Sequence, residues 1–181
     1  MSIPRRQLLA SMGVALIPAC GGETAANEPG ASQPEFLLQD FQPKSPRFGE
    51  TYGLSEFRGS VLFVPLYAGW CNTCVGCAAI LNDVYKTWQS EGLNVRVCAI
   101  NPPNAKSTQR LLVEVCDFPL LQDTDQVGAW DTLLGTKDDH YVYDADGILR
   151  TFVDFKERLD EMIVSEAGQA MFRQAIVEAG G

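Results

Sequence analysis

The chain has 181 residues, 46% apolar and 20% charged, enough apolar mass for one well-formed core, and it is neither disordered throughout nor a multi-span membrane protein. Its 14 basic and 23 acidic residues give a formal charge of -9. No lysine or arginine cluster follows Arg5-Arg6, which argues against a phosphate-tracking surface and so against nucleic acid as a partner. The single histidine, His140, largely closes mechanisms built on a His pair, a His-Asp relay or a His-rich metal cage, and the six cysteines are the unusual feature.

Residues 1–19 read as an export signal. Arg5-Arg6 followed by Gln7-Leu8-Leu9 resembles a twin-arginine signal, and the apolar run from Leu8 to Ile17 is too short to span a bilayer. It ends in Ile17-Pro18-Ala19-Cys20, which resembles a lipobox, where the chain is cut before the cysteine and that thiol is lipidated. On the plainer reading the signal is an ordinary cleavable one and Cys20 is incidental. An acylated Cys20 would hold the protein on a bacterial membrane, facing the periplasm or the cell exterior, with each buried methylene contributing ~0.8 kcal/mol. Residues 20–34 are small, polar and proline-containing without apolar periodicity, and are expected to form a flexible tether. Residues 35–181 are then the single folded domain, with no internal repeat.

Within that domain, the run Val61-Leu62-Phe63-Val64-Pro65-Leu66-Tyr67 predicts a strand covered on both faces, although Pro65 removes a ladder donor. From Asn72 to Glu91, Cys74, Cys77, Ala78, Leu81, Val84, Tyr85 and Trp88 recur at the three-and-four spacing of a helix with one buried stripe, and Gly92 ends it. Leu93 to Ile100 predicts a second strand, Pro102-Pro103 a turn, and Ser107 to Cys116 a second helix. Phe118 to Leu121 is short and apolar. Thr124 is expected to cap a helix running through Trp130 to Leu134, with Gly135 ending it. Tyr141 to Tyr143, the turn Asp144-Ala145-Asp146-Gly147 and Ile148 to Val153 predict a hairpin, and a last helix covers about Ser165 to Glu178. Strands alternating with helices and closing on an antiparallel hairpin predict an α/β fold, a three-layer α/β/α sandwich with helices on both faces of a mixed sheet.

Cys71-Asn72-Thr73-Cys74 falls where the first strand meets the long helix. Unpaired N–H groups and the positive end of the helix dipole favour a thiolate on Cys71 there. Cys74, one turn deeper, is placed to attack a mixed disulfide on Cys71 and release the product. Redox exchange is the reading this order of strand, CxxC and helix favours. A static disulfide is the structural alternative. A metal-binding module is another, because Cys71, Cys74 and Cys77 form CxxCxxC and His140 could supply a fourth ligand; against it, Cys77 lies on the helix stripe, where packing alone accounts for it.

Cys98, within the second strand, and Cys116, near a helix end, read as core residues. Trp70 precedes the nucleophile and would shield its pocket. His140 is expected to open an edge-like hairpin as a solvated or hydrogen-bonded surface residue.

From Arg58-Gly59-Ser60-Val61 to Trp70-Cys71-Asn72-Thr73-Cys74 the sequence resembles the thioredoxin superfamily, especially membrane-anchored bacterial redoxins, which share a lead-in seen here as Leu54-Ser55-Glu56-Phe57-Arg58-Gly59. The stretch Trp130-Asp131-Thr132-Leu133-Leu134-Gly135-Thr136-Lys137-Asp138-Asp139, with Tyr143-Asp144 and Gly147-Ile148-Leu149, is similar to the amino-terminal domain of selenoprotein P. In that family selenocysteine stands where this chain has Cys71, and cysteine where it has Cys74. The histidine- and selenocysteine-rich tail of the animal protein has no counterpart, so selenium transport is not implied.

Two departures from thioredoxin bear on mechanism. Pro65 stands where thioredoxin has a buried Asp that assists proton transfer, and Asp138-Asp139 stands where the superfamily usually has a cis-proline before the hairpin strand. These acidic residues would oppose ionisation of a nearby thiol. The resemblance implies a membrane-anchored thiol-disulfide oxidoreductase with Cys71 and Cys74 catalytic, Trp70, Asn72, Thr73, Asp138 and Asp139 lining the pocket, and no cofactor. Its partners would be protein or small-molecule disulfides, or peroxides, and an electron donor. Thiol peroxidase chemistry, with Cys71 oxidised and Cys74 resolving, is the second enzymatic reading.

Overall fold

The computed structural model describes residues 24–157 and 162–181; the predicted export signal and Cys20 lie outside them. The chain forms β1 (Leu38–Asp40), β2 (Thr51–Tyr52), a 3-10 turn (Leu54–Phe57), β3 (Val61–Pro65), α1 (Asn72–Ser90), β4 (Val95–Val97) and β5 (Ala99–Asn101). A 3-10 segment (Pro103–Thr108) then leads into α2 (Gln109–Val113), followed by β6 (Leu120–Gln122), α3 (Ala129–Leu133), β7 (His140–Tyr143), β8 (Leu149–Val153) and α4 (Glu166–Glu178).

All five residues of β3 are buried, as its apolar run requires. It lies between β4, to which it is parallel, and β7, to which it is antiparallel. Pro65 is its last residue, so the missing donor falls at the strand's end and pairing resumes with Leu66 N–H donating to Asp139 O at 3.0 Å. The strand predicted from Leu93 to Ile100 is two short ones, interrupted at Cys98, whose N–H still donates to Phe63 O at 3.1 Å. That interruption joins two four-stranded arrays, β2-β1-β6-β5 and β4-β3-β7-β8, and a bridge between Leu66 and Ile100 ties them together.

One face of this mixed sheet packs Val61 and Phe63 against Cys74, Cys77, Ala78, Leu81 and Trp88 of α1 and Phe172 and Ile176 of α4. The opposite face packs Leu62, Val64, Leu66, Tyr141 and Tyr143 against Ala129 and Leu133 of α3. Each Val, Leu, Ile or Phe side chain among them contributes about 1.5–3 kcal/mol when fully buried, and both sheet faces are covered, which is the three-layer sandwich that the alternation of elements predicts.

Local chemistry sets the helix ends. Gly92, at φ +84, follows α1 in the left-handed conformation glycine adopts without strain. Ser165 caps α4 by accepting from Gly168 N–H at 2.9 Å. Of the predicted second helix only Gln109–Val113 is in α conformation; Ser107 and Thr108 end a 3-10 segment, and Glu114 and Val115 form a turn. The helix predicted from Thr124 begins at Ala129, because Thr124 caps a separate turn through Val127 N–H while the Asp123 carboxylate receives the N–H groups of Ala129 and Trp130 at 2.9 and 3.0 Å. Leu134, at φ 56, ends that helix in place of Gly135. Gly135 is instead pressed against Leu66 and Tyr141, where an added Cβ would come within 2.4 Å of both.

Two expectations are corrected here. The hairpin strand β7 is interior, flanked by β3 and β8. His140 is therefore 1% exposed rather than on the surface, with its ring between Phe63 and Phe172 and Nε2 sharing a hydrogen bond of 3.1 Å with Tyr67 OH. The end of the predicted tether is also packed. Gly30 N–H donates to Leu149 O, Leu149 N–H to Ala31 O and Gln33 N–H to Gly147 O, each at 2.8 Å, and Ala31 and Gln33 are buried. Backbone donors and acceptors left unpaired along β8 draw this segment in, a demand that its small polar composition does not announce.

Candidate active site

The connection from β3 to α1 is held in place by hydrogen bonds to its backbone. Tyr67 N–H donates to Ile100 O at 3.2 Å and Gly69 N–H to Asn101 Oδ1 at 2.9 Å. Asn101 is itself fixed by donating to Gln122 Oε1 at 2.7 Å, and Gln109 donates to the same oxygen at 2.8 Å. This network places Cys71 as the N-cap of α1, in extended conformation, with Sγ accepting from Cys74 N–H at 3.4 Å. One of the free N–H groups of the first helical turn, that of Cys74, is thereby turned on the sulfur.

Cys71 is 7% exposed and Cys74 fully buried one turn below it. Both are thiols, as are Cys77, Cys98 and Cys116. Asn72 and Thr73 are exposed beside them. Trp70 is 48% exposed, its Nε1–H donating to Asn104 Oδ1 at 3.0 Å, so it flanks the opening to Cys71 without sealing it.

The loop before β7 brings two more side chains to the sulfurs. Lys137 Nζ donates to Cys71 Sγ at 3.8 Å and lies 3.8 Å from Asp138 Oδ2. Asp138 is fully buried, and neither of its carboxylate oxygens has a hydrogen-bond partner within the usual distance limits among the described residues. Its backbone is in the left-handed region, at φ 67, which costs a non-glycine residue on the order of 1 kcal/mol and is tolerated best by Asn and Asp. Burial raises its carboxyl above the ordinary range, while Cys74 and Lys137 pull it back. Burial likewise drives the Cys74 thiol far up, with Cys71 and Asp138 adding to the shift, so Cys74 is protonated at rest.

Asp139 does not line this site. Its carboxylate turns away to accept from Thr136 N–H at 2.6 Å and Phe155 N–H at 3.0 Å, bracing the loop instead. Cys77 is also apart. It is fully buried, and its thiol is pushed up to about 12 chiefly by burial. Cys98 and Cys116 are core residues, as their positions in the sequence suggest, with Cys116 Sγ donating to Leu112 O at 3.3 Å.

The metal set Cys71, Cys74, Cys77 with His140 is therefore not assembled. The donor atoms that do meet, within 4.8 Å of one another, belong to Cys71, Cys74 and Asp138. Lys137 already presents positive charge to two of these three groups, which disfavours a cation among them. Lys137, Asn101, Asn104 and Gln122 are contributions that sequence reasoning missed.

A three-layer sandwich with a dithiol at the N-terminus of its first long helix defines a thioredoxin-like protein. More narrowly, the AhpC/TSA family profile matches residues 29–152, and the chain belongs to that family. It is 28% identical over 123 residues to the thiol-disulfide oxidoreductase ResA of Geobacillus thermodenitrificans (strain NG80-2), spanning 66% of this chain and 66% of that protein, just under two thirds of its length. ResA of Bacillus subtilis (strain 168) is 25% identical over 135 residues, spanning 67% of this chain and 70% of that protein. Among solved structures, a secreted Mycobacterium tuberculosis disulfide oxidoreductase homologous to E. coli DsbE superposes with a TM-score of 0.57 at 18% identity, over 79% of this chain and 95% of the other. Among the described residues no helix is long and apolar enough to cross a membrane.

Proposed function

We propose that the chain is an extracytoplasmic thiol-disulfide oxidoreductase whose catalytic pair is Cys71 and Cys74. The observation that carries this reading is the pair itself: one sulfur at the helix N-cap, slightly open to solvent and facing Lys137, and a second buried one turn beneath it. Cys71 Sγ, as thiolate, attacks one sulfur of a substrate disulfide. The substrate S–S bond breaks, one substrate thiolate leaves and takes a proton, and a mixed disulfide remains on Cys71. Cys74 then attacks Cys71 Sγ, expels the second substrate thiol and closes the Cys71–Cys74 disulfide. The substrate gains two electrons and the protein loses two, so a dithiol or another electron donor must restore it. Protein or small-molecule disulfides fit this chemistry. Trp70, Asn72 and Thr73, exposed around Cys71, are where the substrate would rest.

The names of the ResA relatives support this activity, and the Trp130 to Asp139 stretch supports the likeness to selenoprotein P, under which Cys71 takes the place of selenocysteine. Membrane attachment rests on Ile17-Pro18-Ala19-Cys20. In this reading the cell exports the chain and lipidates Cys20, and Cys20→Ala releases it from membranes into the soluble fraction.

Exchange with a model protein disulfide tests the chemistry. Cys71→Ser abolishes turnover. Cys74→Ser stops after one event and holds the substrate on Cys71, seen as added mass that dithiothreitol removes. Turnover surviving in Cys71→Ser overturns the reading. Stopped-flow oxidation by hydrogen peroxide, far faster at Cys71 than at free cysteine and with disulfides exchanged poorly, would favour the peroxidase alternative.

A further inference from the structure

Resolution of a mixed disulfide needs Cys74 as a thiolate, yet burial holds this thiol in its protonated form. A proton acceptor must stand within reach of Cys74 Sγ when it attacks. We propose that Asp138 is that acceptor, taking the Cys74 proton as Cys74 Sγ attacks the mixed disulfide on Cys71. The inference rests on the oxidoreductase reading above and adds a residue to it.

The geometry is specific. Asp138 is fully buried, its oxygens lack hydrogen-bond partners among the described residues, and one of them lies within 4.8 Å of both sulfurs. A buried carboxylate without partners is costly unless something offsets it. Here Lys137 and the Cys74 thiol are the groups that offset it. Among the described residues, the other titratable groups facing Asp138 cannot serve. Tyr67 and Cys77 are held protonated by burial, Cys71 carries the mixed disulfide at this stage, and the Lys137 ammonium has no free electron pair. His140 is turned onto Tyr67 and belongs to no cluster with the sulfurs.

The step balances. The Cys74 S–H bond breaks and its proton passes to a carboxylate oxygen of Asp138. The sulfur electron pair forms the bond to Cys71 Sγ, the bond from Cys71 Sγ to the substrate sulfur breaks, and the departing thiolate carries that pair away. Asp138 then returns the proton to the departing thiolate or to water. Because burial raises the carboxyl, this return and the initial uptake are closer in energy than they would be for an exposed aspartate.

The test separates the two chemical steps in the full chain. Reaction with 5,5′-dithiobis(2-nitrobenzoate) releases one coloured thiolate when Cys71 attacks and a second when Cys74 resolves. Asp138→Asn is expected to slow the second release at neutral pH by about a hundredfold or more, a positioned general base being worth about 10²–10⁴-fold, while the first changes less than about threefold. Asp138→Glu should recover part of the second rate. An unchanged second release, or equal slowing of both, overturns the proposal. Failure of the first release in the unsubstituted protein would instead sink the oxidoreductase reading. Should Asp138→Asn not fold, carbon-13 titration of the Asp138 carboxyl decides: the midpoint must move on Cys74→Ser, and an unmoved midpoint overturns the proposal.

Discussion

His140 sits with its ring centroid 5.4 Å from that of Phe63 and 5.0 Å from that of Phe172, and burial lowers its imidazole from an ordinary 6.5 to about 3. The sign follows directly. The folded protein holds the ring neutral, so below pH 6.5 the unfolded chain binds a proton that the folded one does not. This contribution to stability is complete above pH 6.5 and declines towards pH 3, by about 1.4 kcal/mol per pH unit. Asp138 and Asp139, whose carboxyls burial raises, act in the opposite sense and lose stability as pH rises. His140→Phe should therefore flatten the fall in urea midpoint between pH 6 and pH 4, at some cost at pH 7 because Tyr67 OH loses its partner. An unchanged slope would show that His140 does not titrate across folding. The surface role expected for this residue failed because a hairpin's own pattern says nothing about which neighbour pairs with its other side. The same limit applied to Asp138 and Asp139. They are adjacent letters, but the positive φ of the first sends the two side chains to opposite tasks.

At the scale of elements, α1 was the most legible part of the chain, because apolar residues at three-and-four spacing, a thiol at its start and a glycine past its end all specify one helix. The short strands β1 and β2 were not anticipated, since two or three residues show no periodicity. The interruption at Cys98 is likewise a product of pairing with two different neighbours. The approach to α1 hides a constraint as well. A Cβ on Gly69 would lie 2.6 Å from Thr108 O and 2.8 Å from its Oγ1, where backbone must give way. Gly69→Ala is expected to cost about 1–3 kcal/mol and to slow Cys71 alkylation, because the displaced turn carries the Asn101 hydrogen bond and the helix cap with it. Thermal melting and iodoacetamide kinetics measured on the same sample check both effects, and a variant with neither would show that the turn can shift freely.

For the molecule as a whole, the sandwich was readable because its strands and helices alternate, whereas its N-terminal margin was not. Ala31 and Gln33 are buried and backbone hydrogen bonds from residues 30–33 finish the edge of β8, so this segment belongs to the fold. Deleting residues 24–34 should lower the melting temperature by about 4–8 °C, corresponding to ~2 kcal/mol in a domain of this size, where an unpacked tether would leave it unchanged. The thiol centre itself depends on long-range assembly: Lys137 stands 66 positions along the chain from the sulfur it faces, and β3 and β7 must join before the two can meet. A newly made or denatured polypeptide accordingly carries only ordinary cysteines. The meeting of Lys137 and Asp138 with the sulfurs, and the burial that shields Cys74, Cys77, Cys98 and Cys116 from stray coupling, arrive only with the mature tertiary structure and are lost with it.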